Sequence, residues 1–288
     1  MLPDTPDRHA LLRAAAAQLP GETPRLDAEL LLAHVLGKER LAMLVRGGAV
    51  SAEARAAFET LLARRGTHEP VAHILGMREF WSLELRVTRD VLVPRPDSET
   101  LIAEALAQFA DKPPETVLDL GTGSGALLLA ALSEWPQARG VGIDRSGAAL
   151  DVARGNAVAL GMAGRAEFRE GDWADGVAQR FDLILCNPPY IEDSAELMPD
   201  VVRFEPHGAL FGGADGLDPY RLLLPEMPHL LADGGVAIFE FGVGQADALL
   251  AIAAESGLSA RVAPDLAGRP RALIARLAKA LGNGPASV

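Results

Sequence analysis

Cysteine is almost missing: Cys186 is the only one in 288 residues, so no intrachain disulfide and no cysteine metal cluster can be built. Set inside an apolar run, it reads as a small buried hydrophobe. Basic charge is scarce too, with 27 Lys and Arg against 39 Asp and Glu and a net charge of −12. A protein that lives on nucleic acid needs a cationic footprint to displace counterions, so direct nucleic-acid binding is not expected. No apolar run approaches the roughly 20 residues that cross a bilayer, and no membrane partner is expected. The start of the chain, with Pro3, Asp4, Pro6 and Asp7, lacks the basic and apolar stretches of a signal peptide, which points to the cytoplasm. The six histidines show no close ligand spacing, and no metal is assigned.

What remains is a soluble globular composition, 49% hydrophobic and 23% charged, long enough for one large or two modest domains. Up to residue 65 the apolar positions recur with helical spacing. Thr23-Pro24 and Ser51 read as helix starts and Gly37 as a helix end, which predicts a small helical domain over residues 1–77. Phe80, Leu83, Leu85, Val87, Val91 and Val93 then mostly alternate, with a break at Thr88-Arg89-Asp90. This predicts a linking β-hairpin within 78–98 that turns at the break. Arg95 and Glu99 read as capping and surface charge at the start of the next helix.

From 99 to 282 strands and helices alternate, including strands at 117–120, 140–143, 166–169, 181–186 and 236–241 and one long helix over 220–231. Units of this kind imply an α/β fold with a doubly wound, mostly parallel sheet. The last two strands lack a helix between them, which makes the final one antiparallel. Residues 283–288 read as a frayed tail.

Two stretches carry chemistry. Asp119-Leu120-Gly121-Thr122-Gly123-Ser124-Gly125 follows a strand and opens a helix, and Asp144 closes the next strand. Glycines let the backbone approach a ligand, the helix start offers N–H groups to an anion, and a carboxylate at Asp144 can accept from ribose hydroxyls. The pattern predicts a nucleoside ligand and, by itself, fits a nicotinamide dinucleotide of an oxidoreductase as well as S-adenosylmethionine. Asp172-Trp173, after the third strand, are placed to meet the base.

The second stretch, Asn187-Pro188-Pro189-Tyr190, ends the apolar run 181–186. Each proline fixes its own φ and pushes the residue before it into extended conformations. The Asn187 amide and the corner's carbonyls thereby become rigid acceptors for a planar N–H group, with Tyr190 as a flat wall. A hydride-transfer site has no need of such a corner, so the pair of stretches favours a methyltransferase.

With these residues the chain resembles the release factor glutamine methyltransferases, the PrmC/HemK family. The resemblance extends to Glu69-Pro70-Val71, Val93-Pro94-Arg95-Pro96, Glu205-Pro206, Ala209 to Gly213 and Glu240 to Gln245. Asn-Pro-Pro-Tyr alone is shared with adenine and guanine N-methyltransferases; joined to the helical domain and the Pro-Arg-Pro hairpin it is specific. One departure is Asp97-Ser98-Glu99, where the family commonly has Glu-Thr-Glu. The resemblance implies the seven-stranded class I methyltransferase fold and methyl transfer from S-adenosylmethionine to the glutamine amide nitrogen of the Gly-Gly-Gln motif in class-1 peptide chain release factors. By it, Gly121, Thr122, Gly123, Ser124, Gly125, Asp144, Trp173 and Asn187 hold the cofactor, and Asp172 joins them from its place after the third strand. Asn187, Pro188, Pro189 and Tyr190 hold the substrate, with Asn187, Pro188 and Tyr190 catalytic.

Overall fold

In the computed structural model, which describes residues 7–46 and 48–278, the chain divides into two compact units. The tail expected at 283–288 lies outside the described residues. The first unit runs to Met77 and also takes in Leu197–Phe204, a segment that the sequence division placed in the third stretch.

Its helices are α1 (Arg8–Ala16), α2 (Pro24–Val35), α3 (Arg40–Arg46), α4 (Ala52–Gly66) and α5 (Val71–Leu75). Polar side chains start two of them. The Asp7 carboxylate accepts from the His9 and Ala10 N–H groups, and the Ser51 hydroxyl accepts from Ala54 N–H at 3.2 Å. Thr23 caps nothing; its hydroxyl turns to Asp27, and Pro24 alone marks the start of α2. Leu11, Leu12, Leu31, Leu32, Met43 and Phe58 form the core of this unit.

The second unit opens with the hairpin β1 (Met77–Phe80) and β2 (Leu83–Arg86). The expected turn at 88–90 is not the hairpin turn. The chain reverses at Trp81-Ser82, both with positive φ (51° and 60°), the two-residue geometry that matches strand twist. Glu99 stabilises this turn by accepting the Trp81 N–H at 2.8 Å. Val91 and Val93 are buried but belong to no strand.

After α6 (Glu99–Gln108) come β3 (Thr116–Leu120), α7 (Ala126–Glu134), β4 (Arg139–Asp144), α8 (Gly147–Ala159), β5 (Ala166–Glu170) and β6 (Phe181–Cys186). There follow α9 (Pro199–Phe204, in the first unit's segment), α10 (Asp218–Leu223), α11 (Met227–Leu230) and β7 (Leu231–Glu240). The unit ends with α12 (Ala246–Glu255), β8 (Leu258–Pro264) and β9 (Pro270–Leu277). The long helix expected over 220–231 is two short helices with a 3₁₀ turn between them, because Pro225 and Pro228 remove N–H donors from its middle.

The seven strands order as β5-β4-β3-β6-β7-β9-β8, and only the pairings made by β9 are antiparallel. Both faces are covered. Leu183 and Leu185 point into one core cluster with Leu128 and Leu150, while Ile184 and Cys186 point into the other with Tyr220 and Phe239. Burial on both faces is why these strands read as continuous apolar runs. No helix among the described residues is long and apolar enough to cross a membrane.

Candidate active site

Register sets the site. Leu120 pairs with Ile143 and Cys186, and Cys186 pairs with Phe239. The next residues, Gly121, Asp144, Asn187 and Glu240, therefore stand at one level at the C-terminal ends of their strands. Strand order reverses between β3 and β6, the place where open α/β sheets bind ligands. A cavity of about 540 Å³ opens there, within the size range of small-molecule sites.

The cavity is lined by Gly121, Thr122, Gly123, Ser124, Asp144, Asp172 and Trp173 from the expected cofactor set, and by Asn187 and Pro189 from the corner. Gly125, Pro188 and Tyr190 are not on its wall. Gly125 has φ +81° and begins α7, and a Cβ there would meet Leu129 and Ala153 at 3.2 and 3.3 Å, so its place is close helix packing. Pro188 is buried. Tyr190 turns its hydroxyl to Glu240 Oε1 at 3.1 Å, and a Cβ on Gly242 would lie 3.1 Å from its ring. The Trp173 ring lies over Gly121, whose added Cβ would be 3.4 Å from it.

The glycine loop keeps most of its N–H groups for the protein itself, fewer being open to a ligand than the sequence led one to expect. Those of Gly121 and Thr122 donate to Ile143 O, that of Gly125 to Thr122 O, and that of Gly123 to Asp144 Oδ2 at 2.9 Å. The anion at the start of α7 is the protein's own. Asp119 Oδ2 accepts the Thr122 hydroxyl at 2.6 Å and the Leu128 N–H at 3.3 Å. Its Oδ1 is buried with no partner. Burial pushes the Asp119 carboxyl up to about 7, against the pull of the Thr122 and Leu128 bonds and with a further push from Asp144.

At the corner, Asn187 Nδ2 donates to Ser98 Oγ at 3.1 Å. Among the described residues no donor reaches Asn187 Oδ1 or the Pro188 carbonyl. Ser98, just 4% exposed, also acts on Glu240, itself 1% exposed. Burial raises the Glu240 carboxyl, while Ser98, Tyr190 and Arg271 each favour its charged form. Burial and the neighbouring Glu240 likewise raise the Tyr190 hydroxyl.

Sequence reasoning passed over four cavity or corner residues. Arg95 was read as surface charge, yet it lines the cavity and holds both oxygens of Glu205 at 2.8 and 2.6 Å. Ser98 stood out in the sequence only within Asp97-Ser98-Glu99, the departure from the family pattern, yet it lines the cavity. Asp119 and Glu240 carry a legible signal, a carboxylate inside an otherwise apolar strand, which is costly unless it has a task.

Comparison with known proteins fits this geometry. A family model described as the PrmC N-terminal domain matches residues 10–76, and one described as a methyltransferase domain matches residues 111–261. A release factor glutamine methyltransferase of Rhodospirillum rubrum is 49% identical over 259 residues, 88% of this chain and 79% of that protein. One of Cereibacter sphaeroides is 45% identical over 274 residues, 94% of this chain and 96% of that protein. Among solved structures, a methyltransferase from Pyrococcus furiosus shares 18% identity at a TM-score of 0.51, covering 77% of this chain and 95% of that one, a likeness of fold alone. Such identity along almost the whole length, with both domain models matched, shows that this chain belongs to the release factor glutamine methyltransferase family.

Proposed function

We propose that the protein transfers a methyl group from S-adenosylmethionine to the side-chain amide nitrogen of the glutamine in the Gly-Gly-Gln motif of class-1 peptide chain release factors. The observation that carries this reading is the corner, where Asn187 lines the cavity and, among the described residues, neither its Oδ1 nor the adjoining Pro188 carbonyl receives a donor. Two acceptors and no donor match a planar NH₂ group.

The cavity suits the cofactor. Its buried open oxygen on Asp119 calls for a cation, and the methionyl amine is one. A dinucleotide would instead bring a pyrophosphate to a helix start that already faces Asp119 and a loop in which the N–H groups of all four residues Gly121, Thr122, Gly123 and Gly125 are engaged within the protein. Asp144 keeps lone pairs for ribose hydroxyls, and Trp173 and Asp172 stand at the cavity wall for the adenine.

When bound, S-adenosylmethionine supplies a methyl group on a positively charged sulfur. The chain's residues address the other reactant. A carboxamide nitrogen is a weak nucleophile because its lone pair is delocalised into the carbonyl. Accepting both its N–H bonds, Asn187 and Pro188 orient the nitrogen and return electron density to it. No strong base is required, since the nitrogen becomes acidic once methylated and then loses its proton. Tyr190, behind the corner, fixes its position through Glu240.

The test is direct: purified protein, cofactor and a release factor, with peptide mass spectrometry of the product. One methyl on the Gly-Gly-Gln glutamine is expected. Methyl incorporation into nucleic acid with none into the release factor overturns the reading in favour of a base N-methyltransferase.

A further inference from the structure

The proline corner is anchored at one end by β6, which stops at Cys186. Its other end is held by a side chain 55 positions away, Gln245 at the start of α12. Gln245 Nε2 donates to the Tyr190 carbonyl at 3.0 Å and lies 3.3 and 3.5 Å from the Gly216 and Asp215 carbonyls, while Oε1 accepts the Gly242 N–H at 2.9 Å. Only this orientation of the amide works, since the reverse would set an oxygen against three carbonyls and an NH₂ against an N–H. We infer that Gln245 is a positioning residue for methyl transfer: by tying the Tyr190 carbonyl to the loop at 215–216 and to Gly242 beyond β7, it fixes the direction in which Asn187 and Pro188 present their oxygens.

The backbone transmits this hold. With φ fixed at Pro188 and Pro189, few torsions are free between Cys186 and Tyr190, so the place of the Tyr190 carbonyl constrains the carbonyls before it. The loop that shares Gln245 comes too close to the corner for side chains. A Cβ on Gly212 would strike the Pro189 carbonyl, and one on Gly216, at φ +71°, would strike the Tyr190 carbonyl and Gln245 Nε2. Two backbone bonds complete the junction: the Gly212 N–H donates to the Ile191 carbonyl at 2.8 Å, and the Ile191 N–H to the Leu210 carbonyl at 3.0 Å.

Gly212 and Gly213 also line the cavity, so one side chain steadies both the corner and a stretch of the cavity wall. Such preorganisation bears on rate directly, because a misplacement of about 1 Å between reacting groups costs roughly a hundredfold. Gln245 touches neither the cavity nor, by this geometry, the acceptor amide; it acts through Tyr190.

The inference rests on the acceptor role proposed for Asn187 and Pro188. The experiment uses the full chain with saturating cofactor and a release factor as methyl acceptor. Gln245→Met, which keeps a side chain of similar length and removes its polar atoms, is expected to lower kcat at least tenfold and to change the cofactor Kd less. In Gln245→Glu an ionised carboxylate would face the carbonyls of Tyr190, Gly216 and Asp215, whereas the protonated acid restores both halves of the clamp, an oxygen for the Gly242 N–H and an O–H for the Tyr190 carbonyl. The charged groups on the joined segments are Glu240 and Arg271 behind the corner, Asp193 after it, Asp215 and Asp218 with their partner Arg221, and Asp247 on α12. Their acidic excess opposes a further anion, so the ratio of Gln245→Glu kcat to parent kcat should rise as pH falls. A variant merely loosened in its fold shows no such recovery. Parent-like kcat in Gln245→Met, an equal loss of cofactor affinity in it, or a ratio in Gln245→Glu that does not rise in acid each overturns the inference. Should the parent protein itself methylate no glutamine, it is the acceptor reading that fails, and hydrogen exchange then decides the clamp: faster exchange at Gly212 and Gly242 in Gln245→Met supports it, and unchanged exchange overturns it.

Discussion

Asp144 holds the glycine loop closed: the Gly123 N–H donates to its Oδ2 at 2.9 Å, while the Ser146 N–H takes Oδ1 at 2.9 Å. Each oxygen keeps a second lone pair for a ligand hydroxyl. Asp144→Ala removes both the loop anchor and those acceptors. Losing hydrogen bonds to a charged group costs about 1.5 to 3 kcal/mol, so the Kd for S-adenosylhomocysteine should rise roughly ten- to a hundredfold by calorimetry. kcat at saturation should change less. An unchanged Kd removes Asp144 from the site.

Asp119 makes cofactor binding depend on pH. Burial first, then the nearby Asp144 charge, raise its carboxyl from 3.8 to about 7, against the Thr122 and Leu128 bonds. A raised acid means that the folded protein holds a proton which the unfolded chain has released. Stability from this group is accordingly present below 3.8 and is lost as pH rises toward about 7. A cationic amine beside Asp119 favours the anion, so binding should expel a proton below about 7, and affinity should climb with pH up to that point. Calorimetry at mildly acid pH in two buffers of different ionisation heat reads the proton directly. Asp119→Asn should abolish the release, and a parent protein that releases none refutes the assignment.

How far the sequence could be read follows from where the determining physics lies. The sheet was legible because each of its central strands is buried on both faces: Phe181 to Cys186, for example, matches the observed strand. The glycine loop and the proline corner were legible because their backbone demands are local. The hairpin turn was not. Trp81 and Ser82 adopt positive φ without being glycine or asparagine, held there partly by Glu99, a contact made 18 positions away. Alternation running on through Val91 and Val93 disguised the true end of the second strand. At the corner, the Asn187 bond to Ser98 spans 89 positions and the Tyr190 bond to Glu240 spans 50. No spacing rule reaches that far, so the residues that aim the acceptor were invisible while the acceptor itself was plain.

Two glycines separate packing from propensity. A Cβ on Gly142, in β4, would lie 2.8 Å from both the Phe168 ring and Thr122 Oγ1. Gly142→Ala should destabilise by about 1 to 3 kcal/mol through overpacking, and weaken cofactor binding by shifting the Thr122 donor of Asp119. Gly155, in the middle of α8, has no atom within 4 Å of its added Cβ and no positive φ. Gly155→Ala should stabilise by about 0.5 to 1 kcal/mol, since alanine loses less backbone freedom on entering a helix. Denaturant midpoints of the two variants should therefore move in opposite directions; movement in the same direction contradicts the packing described.

Asn187→Ala tests the corner with the least disturbance, because Pro188 and Pro189 still fix the backbone. One of two acceptors is lost and the Pro188 carbonyl remains. Removing one preorganised polar group costs about 2 to 4 kcal/mol in the transition state, which predicts a fall in kcat of roughly thirty- to a thousandfold. Cofactor Kd should change less than kcat, since the glycine loop, Asp119 and Asp144 are untouched. Asn187→Asp is the sharper variant: it keeps an acceptor but has no N–H for Ser98 and places a carboxylate where the amide stood. Its kcat should fall as well, although the outward oxygen survives. Near-parent turnover in Asn187→Ala would reduce Asn187 to a turn former, whereas near-parent turnover in Asn187→Asp alone would mean that an outward oxygen suffices without the bond to Ser98.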